Sequence, residues 1–195
     1  MMVKQARAAV TRQALISAAA EVFGADGYAL ATLPTISGRA GVSSGALHFH
    51  FPNKEALASA VESAAAESAL ALTEESAEAV KGGWLQRLVA AVRRLMDAVV
   101  DDPVVRAGFR LSGDPSRKSE ARLHDWWYEW VRNALAQARS NGELAEDVSA
   151  EGAAVVIVAA TLGLETLGAA DPYWRSAERV SQLWSFALPR LSRAD

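Results

Sequence analysis

Gly41 is the residue that most constrains how this chain can fold. It separates two stretches, 32–40 and 43–51, each with room for about two helical turns. Thr32 can cap the first, and Pro34 is tolerated in its first turn. Gly41 suits the left-handed residue that ends a helix. Ser43 can cap the second stretch, which Pro52-Asn53 stops. Ile36, Ala40, Val42 and Leu47 are spaced to pack the two helices on each other.

The rest of the chain reads as helix as well. Ile16, Ala19, Ala20 and Phe23 repeat at helical spacing over 5–23, and Gly24 and Gly27 are expected to end that element. Asn53 caps an Ala-rich helix running toward Ala79, and Gly82-Gly83 breaks the chain after it. Helix resumes from Trp84 to about Val100. Asp102-Pro103 is a cap followed by proline at the first helical position, which opens a helix to Leu111. A loop over 112–119 is followed by a helix over 120–140 that Asn141-Gly142 closes. Ser149 starts a helix to about Gly168, and Asp171-Pro172 starts the last, which ends near Pro189. No alternating strand pattern or internal repeat is present. The expected fold is all-α with about nine helices. Residues 1–53 form a three-helix domain with its motif over 32–51, and 54–195 form a larger helical domain.

Composition supports this and removes several functions. Hydrophobic residues make up 51% of the chain, enough for a core, and there is no cysteine. Disulfides, thiolate metal sites and cysteine nucleophiles are therefore ruled out. The sequence carries no phosphate-binding glycine loop, metal-ligand spacing or nucleophile elbow. His124 and Asp125 adjoin on a helix with no nucleophile to serve. No catalytic residue, cofactor or metal is expected. His48 and His50 cannot easily share a metal, since positions i and i+2 of a helix point roughly 200° apart. The first ten residues have no apolar signal segment. The longest apolar run, 152–164, lies between Glu151 and Glu165 and reads as too short to cross a bilayer. A cytoplasmic protein with no membrane partner is expected.

Charge is divided unevenly. The whole chain carries −3, yet residues 1–54 carry +3 through Lys4, Arg7, Arg12, Arg39 and Lys54 against Glu21 and Asp26. A basic head on an acidic body suits a protein that sets one end against phosphates. The motif over 32–51 has helix-turn-helix spacing, and its second helix would enter a major groove. Small leading residues Ser43, Ser44, Gly45 and Ala46 let backbone approach the duplex, and the helix start points N–H groups at phosphate. Thr32, Thr35, His48, Phe49, His50 and Lys54 complete the expected DNA-binding set. Thr32 and Ser43 serve equally as caps that need no DNA, and a solvated histidine is the alternative at 48 and 50. Lys54 at a helix start opposes the helix dipole, a cost a nearby phosphate would explain.

Residues 12–57 resemble the DNA-binding domain of the TetR family of repressors. The resemblance lies in Phe23-Gly24 with Gly27-Tyr28, in Ala40-Gly41-Val42-Ser43, and in Phe51-Pro-Asn-Lys54-Glu55-Ala-Leu57. More narrowly, the stretch from Gly45 through Phe51 to Glu55, and Asp102-Pro-Val-Val-Arg-Ala-Gly-Phe-Arg-Leu111, are similar to the γ-butyrolactone autoregulator receptors of actinomycetes. The similarity weakens after residue 140. Family members usually carry Tyr at the position of His48, where it commonly touches phosphate. A histidine there makes the contact sensitive to pH and leaves operator preference open.

The helices after residue 84 carry the remaining expectations. Leu123, Trp126, Trp127, Trp130, Val131, Ala134 and Leu135 form a broad apolar arc, and aromatic walls suit an apolar ligand pocket as well as a core. The resemblance implies that the Trp best matched by Trp126 lies in the ligand pocket. The expected ligand set is Trp126, Trp127, Trp130, Leu88, Val92, Phe109, Ile157 and Thr161. Thr161 either bonds the carbonyl one turn earlier or holds a ligand oxygen. The helix over 150–168 is apolar on nearly every side and needs two burial partners. The resemblance implies a homodimer built by this helix and the last, with Val155, Val158, Leu162, Val180, Trp184 and Leu188 at the interface.

A repressor of double-stranded operator DNA, released by a small lactone-like molecule and controlling secondary metabolism, is what these readings imply together. The alternatives are a ligand-blind or antibiotic-responsive homologue and a protein-interaction module.

Overall fold

The structure is a computed structural model describing residues 2–117 and 123–193, with the backbone alone described at 2–4 and 76–79. The Lys4 side chain, the end of the loop expected over 112–119 and the helix start expected at 120 lie outside the described residues. Nine α-helices run through the described residues: α1 Met2–Leu30, α2 Leu33–Arg39, α3 Ser44–His50, α4 Lys54–Ala79, α5 Trp84–Asp101, α6 Pro103–Ser112, α7 Leu123–Ser140, α8 Ala150–Leu167 and α9 Ala177–Leu191. The fold is all-α, as the periodicity indicates.

The caps act where the sequence places them. The Asp102 carboxylate accepts from Val104 N at 2.7 Å, and Asn53 Oδ1 accepts from Ala56 N at 2.8 Å. Ser149 Oγ accepts from Gly152 N at 3.2 Å. Such a bond satisfies one orphan N–H of a helix start and stabilises it by about 1 kcal/mol.

The boundaries expected at Gly24 and at Asp171-Pro172 differ in the structure, while the last helix ends near Pro189 as expected. Helix α1 continues through Gly24 and breaks only at Gly27, where φ is 76°, before a last turn to Leu30. Asp171-Pro172 opens a 3-10 turn, Pro172–Arg175, rather than the last helix. Ser176 then turns extended and caps α9, its Oγ accepting from Arg179 N at 3.3 Å. Pro189 lies inside α9, which continues to Leu191. So close to the helix end, its missing N–H removes only one ladder bond.

The chain divides into two compact units. The first comprises Met1–Ser68 and Asp102–Leu123, the second Ala69–Asp101 and His124–Asp195. In the first, α1 packs on α2 and α6, and α2 on α3. Its core gathers Leu15, Ile16, Phe23, Ile36, Leu47, Leu57, Val61 and Leu111. Burying each such side chain contributes about 1.5–3 kcal/mol. Gly108 of α6 passes so close to α4 that an added Cβ would stand 2.2 Å from Ala65 Cβ.

In the second unit, α5 packs against α8 and α9, burying Leu85, Leu88, Val92 and Leu95. Helix α8 as a whole is long and apolar enough, by length and composition, to cross a bilayer, although its apolar run 152–164 read as too short. Its inner face is tied into the unit instead. The buried Glu165 carboxylate accepts from Arg175 Nη2 at 3.1 Å, and Thr161 accepts from Trp127 Nε1 at 3.0 Å.

Candidate nucleic-acid interface and ligand-binding unit

Helices α2 and α3 are held by bonds that begin and end within a few residues. Thr32 Oγ1 accepts from Thr35 N at 3.3 Å, and the two hydroxyls lie 2.8 Å apart. Gly41 has a φ of 67°, and Val42 N donates back to Ser37 O at 3.0 Å. Ser43 Oγ accepts from Ala46 N at 3.2 Å. Ile36 and Leu47 are buried between the helices. The turn is therefore rigid, and it fixes which face of α3 looks outward.

That face carries Ser44, Gly45, His48 and Phe49, all exposed, with Ala46 and His50 half-buried. Phe49 is 81% exposed, an unusual position for a phenylalanine, and its ring meets His50 edge-on at 5.1 Å. Thr32, Thr35 and Ser43 are exposed beside it. The Arg12 guanidinium lies 5.2 Å from the Phe51 ring centre, and Arg39 pairs with Glu21 at 2.9 Å in the open, a contact of little energy.

Lys54 is placed differently. Its Nζ donates to Tyr28 O at 2.8 Å, Ala31 O at 3.1 Å and Ala29 O at 3.4 Å. It also stands 4.4 Å from the Tyr28 ring centre. The ammonium thus neutralises the carbonyl end of α1, a favourable dipole contact that explains a cation at the start of α4. Arg110 Nη1 does the same for Gly24 O, at 2.5 Å.

A buried polar cluster in this unit has no counterpart in the sequence reading. The Arg117 guanidinium bonds Glu55 through Nη2 at 2.6 Å and Nε at 3.2 Å, and Glu62 through Nη2 at 2.9 Å. Tyr28 Oη donates to the same Glu55 carboxylate at 2.8 Å. Arg117 and Glu62 side chains are fully buried. Hydrogen bonds from Arg117 hold the Glu55 carboxyl below its usual range, against the effect of burial, and Tyr28 adds to the depression. Burial, then the Glu55 carboxylate, push the Tyr28 phenol up. The arrangement joins the end of α1, the start of α4 and the segment after α6. No local signal marks it, since Arg117 lies 62 residues from Glu55.

Residues 15–61, which include all of α2 and α3, match the family model of bacterial regulatory proteins of the tetR family. Over 98% of its length the chain is 32% identical to the A-factor receptor protein of Streptomyces griseus, covering 67% of that protein. The chain belongs to the TetR family. This TetR regulator is a DNA-binding transcription regulator and not an enzyme. Its fold matches a gamma-butyrolactone receptor described as ArpA-like, with a TM-score of 0.81 and 25% identity over 96% of this chain and 90% of that one. It also matches CprB from Streptomyces coelicolor in complex with its biological operator sequence, with a TM-score of 0.82 and 27% identity over 96% and 91% of the two chains.

In the second unit of this TetR regulator, Trp127 is fully buried. Its ring stacks on Trp130 at 5.4 Å and 6°, while Trp126 leans on it at 6.1 Å. Thr161, which accepts the Trp127 N–H, donates to Val158 O at 3.0 Å. Of the two readings of that hydroxyl, the structure shows the bond to its own helix. Leu88, Val92 and Ile157 are buried in the same unit, and Trp126 and Trp130 are half-buried. Phe109 is buried in α6, which belongs to the first unit.

Among the residues expected at a dimer interface, Val155 is exposed and Leu162 and Leu188 are half-buried. Val158, Val180 and Trp184 are buried within the second unit. Val156 and Phe186, absent from the expected set, are 63% and 68% exposed. They line a groove of about 260 Å³ between α8 and α9, together with Gly152, Ala153, Ala187 and Leu191.

Proposed function

We propose that this regulator is a homodimeric repressor that binds palindromic operator DNA through α3 and leaves it when a small apolar molecule of the γ-butyrolactone type binds its C-terminal domain. The observation that carries the reading is the outward face of α3, with Ser44, Gly45, His48 and Phe49 presented from a rigid turn in a chain similar to the A-factor receptor. Residues 1–53 act as the reading head, with the motif at 32–51, and 54–195 act in ligand binding and dimerisation.

Thr32, Thr35, Ser43, Ser44 and Ala46 contact phosphate and backbone, and His48, Phe49 and His50 contact phosphate or base edges. Few of these side chains make bidentate base contacts, so much of the specificity comes from apolar contact and DNA shape. Exposed Val155, Val156 and Phe186 on α8 and α9 bury against a second copy, supported from behind by Val158, Val180 and Trp184. Operator binding places the protein in the cytoplasm, where it controls secondary metabolism.

Release is a population shift. A ligand preferring the released arrangement by about 5.5 kcal/mol takes the protein from mostly bound to mostly free. Binding to the DNA flanking the protein's own gene, measured with and without a synthetic γ-butyrolactone series, tests the reading. Tight, salt-dependent binding lost on adding a lactone supports it. Trp126→Ala then keeps operator binding and loses release. Binding that no lactone affects overturns the ligand assignment and favours a ligand-blind or antibiotic-responsive homologue. The full burial of Trp127 and its bond to Thr161 favour the ligand-blind reading, because an indole so placed fills space that any ligand would need.

A further inference from the structure

A cleft in the second unit shares only Trp130 with the expected ligand set. Trp84, Trp130, Asn133, Ala134 and Gln137 line a volume of about 380 Å³. Trp84 is the first residue of α5, and the other four recur at the spacing of one face of α7. Two indoles from different helices therefore share one space with two carboxamides, and none of these lining residues is charged.

The backbone that carries Trp84 and the ring of Trp130 are both anchored. The Glu143 carboxylate accepts from Trp84 N at 2.9 Å and Leu85 N at 3.0 Å, and Asn141 Nδ2 donates to it at 3.3 Å. Residue 83 must be glycine for that carboxylate to come so close, since a Cβ would meet Glu143 Oε2 at 2.3 Å. The Arg87 guanidinium lies 5.1 Å from the Trp84 ring centre. Trp130 rests on Trp127, which is itself held by Thr161. Walls fixed in this way bind with little loss of side-chain freedom.

The lining selects its occupant by chemistry. Indoles attract flat π surfaces. Asn133 and Gln137 each offer donors and an acceptor, which suit a hydroxyl or carbonyl. No carboxylate is among the lining residues, and the Arg87 guanidinium already beside the Trp84 ring disfavours a second cation there. The volume is of the order that small-molecule sites occupy, about 300–1,000 Å³.

We propose that this cleft binds a flat, uncharged aromatic molecule of fused rings carrying a hydroxyl or carbonyl, held against Trp84 and Trp130 and bonded by Asn133 or Gln137. The binding stands on the cleft alone, and only its regulatory consequence rests on the repressor reading.

Calorimetric titration of the full chain with 2-naphthol, and with its saturated, non-planar analogue decahydro-2-naphthol, tests it. The expected result is binding of 2-naphthol that is about tenfold tighter than binding of the saturated alcohol, the size that ring stacking supplies. Trp84→Leu removes that preference, Trp84→Phe restores most of it, and Gln137→Ala weakens binding several-fold while leaving the melting temperature unchanged. No binding, equal binding of both alcohols, or binding indifferent to both Trp84→Leu and Gln137→Ala overturns the proposal. Operator binding is measured separately. Naphthol binding in a protein that ignores DNA keeps the site and removes the repressor, and operator binding without naphthol binding does the reverse.

Discussion

Arg117 meets Glu55 side-on, with Nη2 to Oε1 at 2.6 Å and Nε to Oε2 at 3.2 Å, across 62 residues of sequence. The same guanidinium also pairs with the fully buried carboxylate of Glu62 at 2.9 Å. Removing it strands a charge in the interior. Arg117→Ala is expected to lower stability by about 3–5 kcal/mol in chemical denaturation. Arg117→Lys, which supplies the charge without the fork, should recover only part of the loss.

The same pair makes stability depend on acid. The folded-state pKa of Glu55 is depressed below its ordinary value of 4.5, chiefly by the hydrogen bonds from Arg117. Its contribution is therefore fully present above the unfolded pKa and is lost as pH falls through the folded one. Melting temperatures followed from about pH 6 to about pH 3 should fall more steeply for the wild type than for Glu55→Gln.

Lys54 donates to three carbonyls at the end of α1. Lys54→Ala is expected to cost about 1.5–3 kcal/mol of stability, the scale of a charged hydrogen-bonding group lost. With its ammonium engaged there, the salt dependence of operator binding should keep its slope. A lysine bound to phosphate would instead lower that slope by about one on substitution.

Phe49 presents most of its ring to solvent. Phe49→Ala should leave thermal stability within about 0.5 kcal/mol of the wild type. Operator affinity should fall by about tenfold, as for loss of one apolar contact at a base edge. Fluorescence anisotropy with labelled operator, beside a thermal melt of the same sample, reads both quantities.

Gly108 leaves no room for a methyl group, because Ala65 Cβ would stand 2.2 Å from it. Gly108→Ala is expected to destabilise by about 1–3 kcal/mol through forced displacement of α6 from α4. Adding Ala65→Gly should relieve most of that loss, giving a clear coupling energy in a double-mutant cycle.

The readings that held are those whose causes lie close together in the chain. Thr32, Ser43, Asn53, Asp102 and Ser149 cap their helices through bonds to N–H groups two or three residues on. Gly41 adopts the left-handed turn its position requires. Boundaries failed where two local signals competed. Gly24 was passed over because a glycine lowers helix stability without ending the helix, and Gly27 ends it with a positive φ. At the C-terminal end, Asp171-Pro172 carried a start signal that produced only a 3-10 turn, and the effective cap was Ser176.

The sequence by itself determined the helices, the turn of the motif and, through the residues resembling known repressors, the family. Hydrophobic periodicity and capping act over four residues or fewer, so they are written locally. Only the tertiary structure decided which groups Arg117 and Lys54 engage, which face of α8 remains uncovered, and that Trp127 packs against Trp130 and bonds Thr161. A long polar side chain can reach many partners. Its choice is made only when packing brings a particular carbonyl or carboxylate within about 3 Å of it and excludes water from the rest.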